Sequence, residues 1–398
     1  MLFVLLDNLR ATLESWKIYW IFRILDQLSF RAMAASALSF ALVMVFGKPV
    51  IRWLKLKKIG DAGLADVEAL QRMAQSKAST PTMGGILICG AILISTFLLA
   101  DMRNFYVVLG LVVLAWLAVL GGMDDWLKLT AASRPGGSRQ GLYAWEKLVF
   151  QIGLGVMVGY FVFQKGNTPG IQTHLTHVLN LPFQATWVTE AGKQVVNDSL
   201  LFLPRVVFVI FALLMVAGMS NAVNIADGMD GLAAGMATIV SIGLVVLVYI
   251  ATWETGAKML LVPFVPFADE LIVLVAAITG ACLGFLWWNC SPAQVFMGDT
   301  GSLALGGVLA YVAVVVRQEV LLLIMCGMFL VEIGSVVTQV GWFKYTRRRT
   351  GTGQRLFRVA PIHHHFHILG WTEQQVVTRF WIVTGLLVVL GLALIKVR

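Results

Sequence analysis

Residues 203–251 read LPRVVFVIFALLMVAGMSNAVNIADGMDGLAAGMATIVSIGLVVLVYIA. The stretch is two apolar runs, 203–220 and 233–251, with a short polar segment between them that carries Asn221, Asn224, Asp227 and Asp230. Each run approaches the ~20 residues that cross a bilayer as a helix. Backbone polar groups in hydrocarbon must satisfy one another within the segment, so such runs are helical. The ten-residue alternation of a barrel strand is not seen. Working outward, eight more runs of the same kind lie at 27–46, 82–100, 105–121, 148–164, 270–288, 302–317, 320–342 and 376–396. The expected fold is an all-α polytopic membrane protein of about ten transmembrane helices, one domain over residues 1–398.

Composition agrees. Of 398 residues, 59% are apolar and 13% charged, against about 25% charged in an ordinary soluble domain. So many apolar side chains exclude a disordered chain. Four cysteines, Cys89, Cys282, Cys290 and Cys326, exclude a disulfide scaffold. The net charge of +9 comes from bases in loops flanking the apolar runs, not from a clustered basic face, so no nucleic acid partner is expected.

The loops at 47–81, 122–147 and 343–379 hold 18 of the 30 Lys and Arg. The positive-inside rule makes these loops cytoplasmic, with both termini external. The short loops 221–232 and 289–301 fall on the same cytoplasmic side. The leader, residues 1–26, lacks a basic n-region and a small-residue cleavage site, so it reads as an interfacial amphipathic segment and not as a signal peptide. The external loop 165–201, with Pro169, Pro182 and short Thr/Val stretches, leaves room for a small hairpin.

Nearly every unusual polar residue lies on the cytoplasmic side. Asp124 and Asp125 end the third run, where acids oppose the helix dipole. Either Lys128, four residues after Asp124, compensates, or a bound divalent cation does. Asn221, Asn224, Asp227 and Asp230 recur every three residues, which on a helix is one face. They are either capping residues of a hydrated loop or a polar ligand site. Asn289 ends the seventh run, and FMGDTGS at 296–302 opens the eighth. Asp299 or Ser302 there is a helix N-cap or a ligand, and Phe296 is interface packing or a stacking platform for a base. His363, His364 and His365 are consecutive, so they project in different directions. With no cysteine nearby, they fit phosphate contacts better than a structural zinc site. Lys77 precedes the second run as a charged snorkelling flank. Glu332 is the one acid inside an apolar run, and it either makes a packed polar contact or lines a groove.

Taken together, these residues resemble the phospho-N-acetylmuramoyl-pentapeptide transferase family, within the polyprenyl-phosphate N-acetylhexosamine-1-phosphate transferases. The resemblance runs from about Phe30 to Arg398. It is carried by TPTMGG at 80–85, Asp124-Asp125, NAVNIADGMDGLA at 221–233, FLWWN at 285–289, PAQVFMGDTGSLALGG at 292–307 and APIHHH at 360–365. It implies transfer of phospho-N-acetylmuramoyl-pentapeptide from its UDP-linked form to undecaprenyl phosphate, with release of UMP. It also implies magnesium as cofactor, a homodimer, and a multi-pass place in the bacterial cytoplasmic membrane with the active site facing the cytoplasm.

Residue by residue, the resemblance makes Asp299 a magnesium ligand, with Asp124 and Asp125 facing the metal and the lipid phosphate. Asn289 and His363, His364 and His365 would help hold the diphosphate. Asp227, Gly228, Asp230 and Phe296 would form the uridine pocket, beside Asn221 and Asn224, and Lys77 would reach the nucleotide. This chain departs from the family pattern at Ser79, where Gly is usual, and in LTAASRPGGSR at 129–139, where a lysine-rich loop is usual. Residues 346–353 read as an insertion before Gln354. The competing functions are a sister enzyme moving N-acetylglucosamine-1-phosphate and, in another class, a polyprenyl-lipid transporter. A transporter predicts polar residues at mid-membrane, and here they gather at one interface.

Overall fold

A computed structural model describes residues 1–57, 80–130, 141–166, 173–190 and 192–396. Three short helices open the chain, α1 (Leu2–Asn8), α2 (Arg10–Ser15) and α3 (Tyr19–Phe22). Long helices follow: α4 (Leu28–Leu56), α5 (Gly85–Leu99), α6 (Phe105–Thr130), α7 (Ala144–Gly166) and α8 (Arg205–Ala226). After α9 (Leu232–Thr252) come the short α10 (Glu254–Met259), α11 (Leu271–Asn289) and α12 (Gly298–Val315). The chain ends with α13 (Glu319–Met325), α14 (Gly327–Thr350), α15 (Ile362–Ile368) and α16 (Glu373–Ala393).

A helix stands at each of the ten expected runs. Among the described residues eight are long and apolar enough to span, and α13 with α14 makes a ninth, bent by 77° at Cys326. The tenth, α5, has only 15 residues, short of the ~20 a span needs. The hairpin allowed for in the loop 165–201 is present: β1 (Trp187–Glu190) pairs antiparallel with β2 (Lys193–Val196). It is pinned by Trp187 Nε1 donating to Val262 O at 2.9 Å.

The centre of the bundle is α12, buried without interruption from Asp299 to Val315. It packs against α6 and α8, while α11 packs against α4 and α9. Lipid gives no hydrophobic drive for helices to associate, so close backbone approach has to supply the contact energy, and small residues permit it. A Cβ on Gly121 of α6 would lie 2.1 Å from the Asp299 carbonyl, and one on Gly85 would lie 2.1 Å from Gly301 N. These glycines set α5 and α6 directly on the start of α12.

Several helices outrun their apolar stretches. Helix α6 continues past residue 121 to Thr130, so Asp124 and Asp125 lie within its last turns and not beyond its end. Helix α14 runs to Thr350, so residues 346–353 lengthen a helix and turn at Gly351 (φ +78°). The polar series at 221–230 is only half helical: α8 stops at Ala226, Asp227 is its C-cap, and Gly231 at φ +78° starts α9. Glycine supplies that left-handed turn without steric cost.

Candidate active site

Three loops close over the start of α12. The segment 80–85 is laced to 296–297: Phe296 N donates to Pro81 O, Gly84 N to Phe296 O and Gly85 N to Met297 O, each at 2.8 Å. At Gly298 (φ +71°) a Cβ would meet Asp125 Oδ2 at 2.7 Å and Thr82 Oγ1 at 2.8 Å, so only glycine turns the chain there. This lacing explains why TPTMGG and FMGDTGS occur together: each completes the other's backbone hydrogen bonds.

Asp125 faces the N-terminus of α12 across the gap. Its carboxylate accepts from Asp299 N (3.1 Å), Thr300 N (3.0 Å) and Thr300 Oγ1 (2.7 Å). The first-turn N–H groups of a helix lack partners within it and favour negative charge, so Asp125 caps α12 from a neighbouring helix. Asp299, in that first turn, accepts from Asn224 Nδ2 at 2.8 Å on Oδ1 and from Lys147 Nζ at 2.6 Å on Oδ2. Asn224 also donates to Ser302 Oγ at 2.9 Å. Asp124, fully buried, accepts from Leu142 N at 2.7 Å on Oδ1. Its Oδ2 meets Lys128 Nζ at 2.7 Å and Lys147 Nζ at 2.8 Å, and Lys128 also lies 3.3 Å from Asp299 Oδ2.

One oxygen from each of Asp124, Asp125 and Asp299 falls within 4.8 Å of the others. This oxygen-only donor set suits a hard divalent cation, which Mg²⁺ typically meets through one or two carboxylates and substrate phosphates. Asp227 responds to the negative field of these carboxylates. Burial first, then Asp299 and Asp125, push its carboxyl up to about 8, while a Gly298 N–H bond works the other way. Carboxylates this crowded favour added positive charge, and Lys128 and Lys147 supply part of it.

The second cluster is built on a short helix. His363 of α15 is buried, and its Nδ1 shares a 2.9 Å hydrogen bond with Glu332 Oε2 of α14. Glu332 therefore makes a packed polar contact, which resolves its two readings. The far edge of the His363 ring lies over Gly228, where a Cβ would sit 2.4 Å from Nε2. The loop 227–231 and the histidine run are thus in contact. His364 lies beside His363, with ring centroids 4.1 Å apart. His365 Nδ1 accepts from Arg358 N at 3.1 Å, which shapes the loop entering α15.

Three further expected residues, Asn289, Asp230 and Asn221, bond neighbouring elements. Asn289 Oδ1 accepts from Gly231 N at 3.0 Å and its Nδ2 donates to Val295 O at 2.9 Å. Asp230 Oδ2 accepts from Ala293 N at 3.0 Å, and its own N–H donates to Glu373. These bonds tie the loop 227–231 to the loop 290–297. Asn221 donates to Gln151 Oε1 and to Ala217 O, so it joins α8 to α7 and does not bond the carboxylates. Phe296 is half-buried beside the laced segment. Lys77, Ser79 and residues 131–139 lie outside the described residues.

Sequence reasoning missed Lys147 as a site residue and noticed Lys128 only as a partner for Asp124. The available signal was a lysine inside the first turns of a spanning helix, since such residues rarely face lipid.

Residues 105–317 match the model of glycosyl transferase family 4, and residues 77–89 match signature 1 of phospho-N-acetylmuramoyl-pentapeptide-transferase. The chain is similar to the phospho-N-acetylmuramoyl-pentapeptide-transferase of Parabacteroides distasonis, at 37% identity over 96% of this chain and 100% of the relative. It is similar also to that of Salinibacter ruber, at 39% identity over 95% of this chain and 96% of the relative.

Proposed function

The chain belongs to the phospho-N-acetylmuramoyl-pentapeptide-transferase family, and from that premise we propose that it transfers phospho-N-acetylmuramoyl-pentapeptide from UDP to undecaprenyl phosphate, releasing UMP. The observation that carries the reading is the buried triad Asp124, Asp125 and Asp299, of which Asp124 and Asp299 are bridged by Lys128 and Lys147. Both reactants are phosphate anions, so catalysis is chiefly charge neutralisation and positioning.

Asp299, with Asp124 and Asp125 beside it, would hold magnesium, which when bound offsets charge on the diphosphate and favours loss of UMP. A phosphate monoester is already largely dianionic near neutral pH, so the lipid phosphate needs orientation more than deprotonation. Lys147 and Lys128 receive phosphate oxygens, and Asp124, fixed by three contacts, orients the nucleophile for direct in-line attack. Asn224 holds Asp299 in place. The His363–Glu332 pair and His364 border the diphosphate, and Phe296, Asp227 and Gly228 border the uridine. Lys77 serves the nucleotide in this reading. The chain acts as one integral-membrane unit, a homodimer in the cytoplasmic membrane, with residues 1–26 as an interfacial leader and the site facing the cytoplasm.

The test is UMP release by purified protein. Release from the muramoyl nucleotide only when both polyprenyl phosphate and magnesium are present supports the reading. Equal use of UDP-N-acetylglucosamine would move the chain to the sister activity. UMP formed without any lipid acceptor would overturn direct attack in favour of a covalent intermediate.

A further inference from the structure

Beyond Glu332 the helix α14 leaves the packed bundle. Along its length Val337 and Val340 are exposed, then Trp342 and Tyr345, and Lys344, Arg347, Arg348 and Arg349 are exposed in its last turns. Val337, Gly341, Lys344 and Arg348 are spaced i, i+4, i+7, i+11, so they form one stripe that grades from apolar to basic along the axis. The opposite face is knitted to the returning chain. Gln339 Oε1 accepts from Leu356 N (3.0 Å) and Phe357 N (2.9 Å), and Thr346 Oγ1 accepts from Gln354 N (2.9 Å). Helix and return segment therefore form a stiff paddle. At 1.5 Å per residue the helix end at Thr350 lies roughly 27 Å beyond Glu332.

Residues 333–372 contain no Asp or Glu but carry Lys344, Arg347, Arg348, Arg349, Arg355 and Arg358. All six are exposed. Among the described residues no acid lies within ion-pair distance of any of them. The catalytic carboxylates have their own lysines, so this charge is surplus to the site.

We propose that the paddle formed by Lys344–Arg358 is an anionic-phospholipid binding element of the cytoplasmic leaflet, in which Arg347, Arg348 and Arg349 hold lipid phosphates while Val337 and Val340 rest in hydrocarbon. The occupant follows from the order of side chains. Valines in water would leave apolar area exposed, whereas apolar residues, then Trp and Tyr, then arginines is the succession met on passing from acyl chains to headgroups. An uncompensated basic cluster directly beyond a spanning helix attracts anionic lipid. The insertion at 346–353 supplies the tip. The leaflet assignment rests on the orientation proposed above; the lipid contact itself does not need the transferase reading.

The experiment uses the full chain purified in detergent, with bound lipid counted by native mass spectrometry against added phosphatidylglycerol or phosphatidylcholine. Wild type is expected to retain phosphatidylglycerol preferentially. The combined change Arg347→Gln, Arg348→Gln, Arg349→Gln should reduce that retention at least tenfold, a headgroup-facing cation being worth about fivefold each. UMP affinity should not change. The matching triple lysine variant should retain most of the preference, which separates charge from folding. Equal phosphatidylglycerol retention in wild type and the glutamine variant overturns the proposal. So does a weakened nucleotide affinity with lipid retention intact, which would give the arginines to the substrate. A chain without transferase activity that still shows the lipid preference would leave this inference standing and sink the functional reading alone.

Discussion

Asp299 receives Lys147 on one oxygen and Asn224 on the other, so its charge and its orientation are separable. Asp299→Asn keeps the size and removes the charge. Turnover should fall by at least about two orders of magnitude, in line with the roughly 3 kcal/mol assigned to one electrostatic stabiliser. UMP release measured across a magnesium series checks this, and near-normal magnesium-dependent turnover would refute the assignment. Glu332 acts through His363, which it holds by one buried hydrogen bond. Glu332→Ala leaves the ring without that partner and should lower kcat about 10–100-fold, the range seen when a ligand's supporting partner is lost. Glu332→Gln can still accept from Nδ1 and should recover part of it. A loss confined to KM, or an identical loss in both variants, would argue against a positioning role. At this scale the acids and amides stood out in the sequence because they interrupt apolar runs. Lys147 and the His363–Glu332 contact did not, because a partner distant in the chain leaves no local pattern.

Helix contacts decide whether those side chains meet. Gly121 of α6 faces the Asp299 carbonyl so closely that a Cβ would lie 2.1 Å away, whereas one on Gly122 would find its nearest neighbour, Thr300 Oγ1, at 3.7 Å. Gly121→Ala must push α6 off α12 and with it Asp124 and Asp125 off Asp299. The expected cost is about 1–3 kcal/mol, the usual scale of overpacking, with a larger loss of turnover. Gly122→Ala should be near neutral in both. Melting temperature in detergent and UMP release distinguish the two, and equal behaviour of the two variants would contradict the packing argument. The helices themselves were legible from hydropathy, but their ends were not. Asp124 and Asp125 remain inside α6 because their acceptors are satisfied by α12 and by Leu142. Asp227 and Asp230 leave the helical stripe because Asp230 bonds the loop at Ala293 instead.

Across the whole bundle the two ends are built differently. One carries the carboxylate site. The other carries a buried ion pair, with Arg31 of α4 donating to Glu270 at 2.7 and 2.5 Å and Asp101 N donating to the same carboxylate at 2.9 Å. Both side chains are under 10% exposed, so Arg31→Ala would strand a buried charge and should cost about 3–5 kcal/mol. Helix α6 separates Phe105, near this pair, from Asp124 by roughly 29 Å, so KM for the nucleotide should stay unchanged while thermal stability drops. A shifted KM with unchanged stability would refute the separation. The amino-acid sequence by itself determined the membrane class, the positions of ten helices and the polar segments from which the candidate site is built, because hydropathy and charge are properties of contiguous residues. Only the tertiary structure decided which acids share one site, that Lys147 bridges them, that Glu332 serves His363, and that Asn221, Asp230 and Asn289 brace the scaffold. Those outcomes depend on how closely α5, α6 and α8 approach α12, and that distance is set by glycine contacts between helices far apart in the chain.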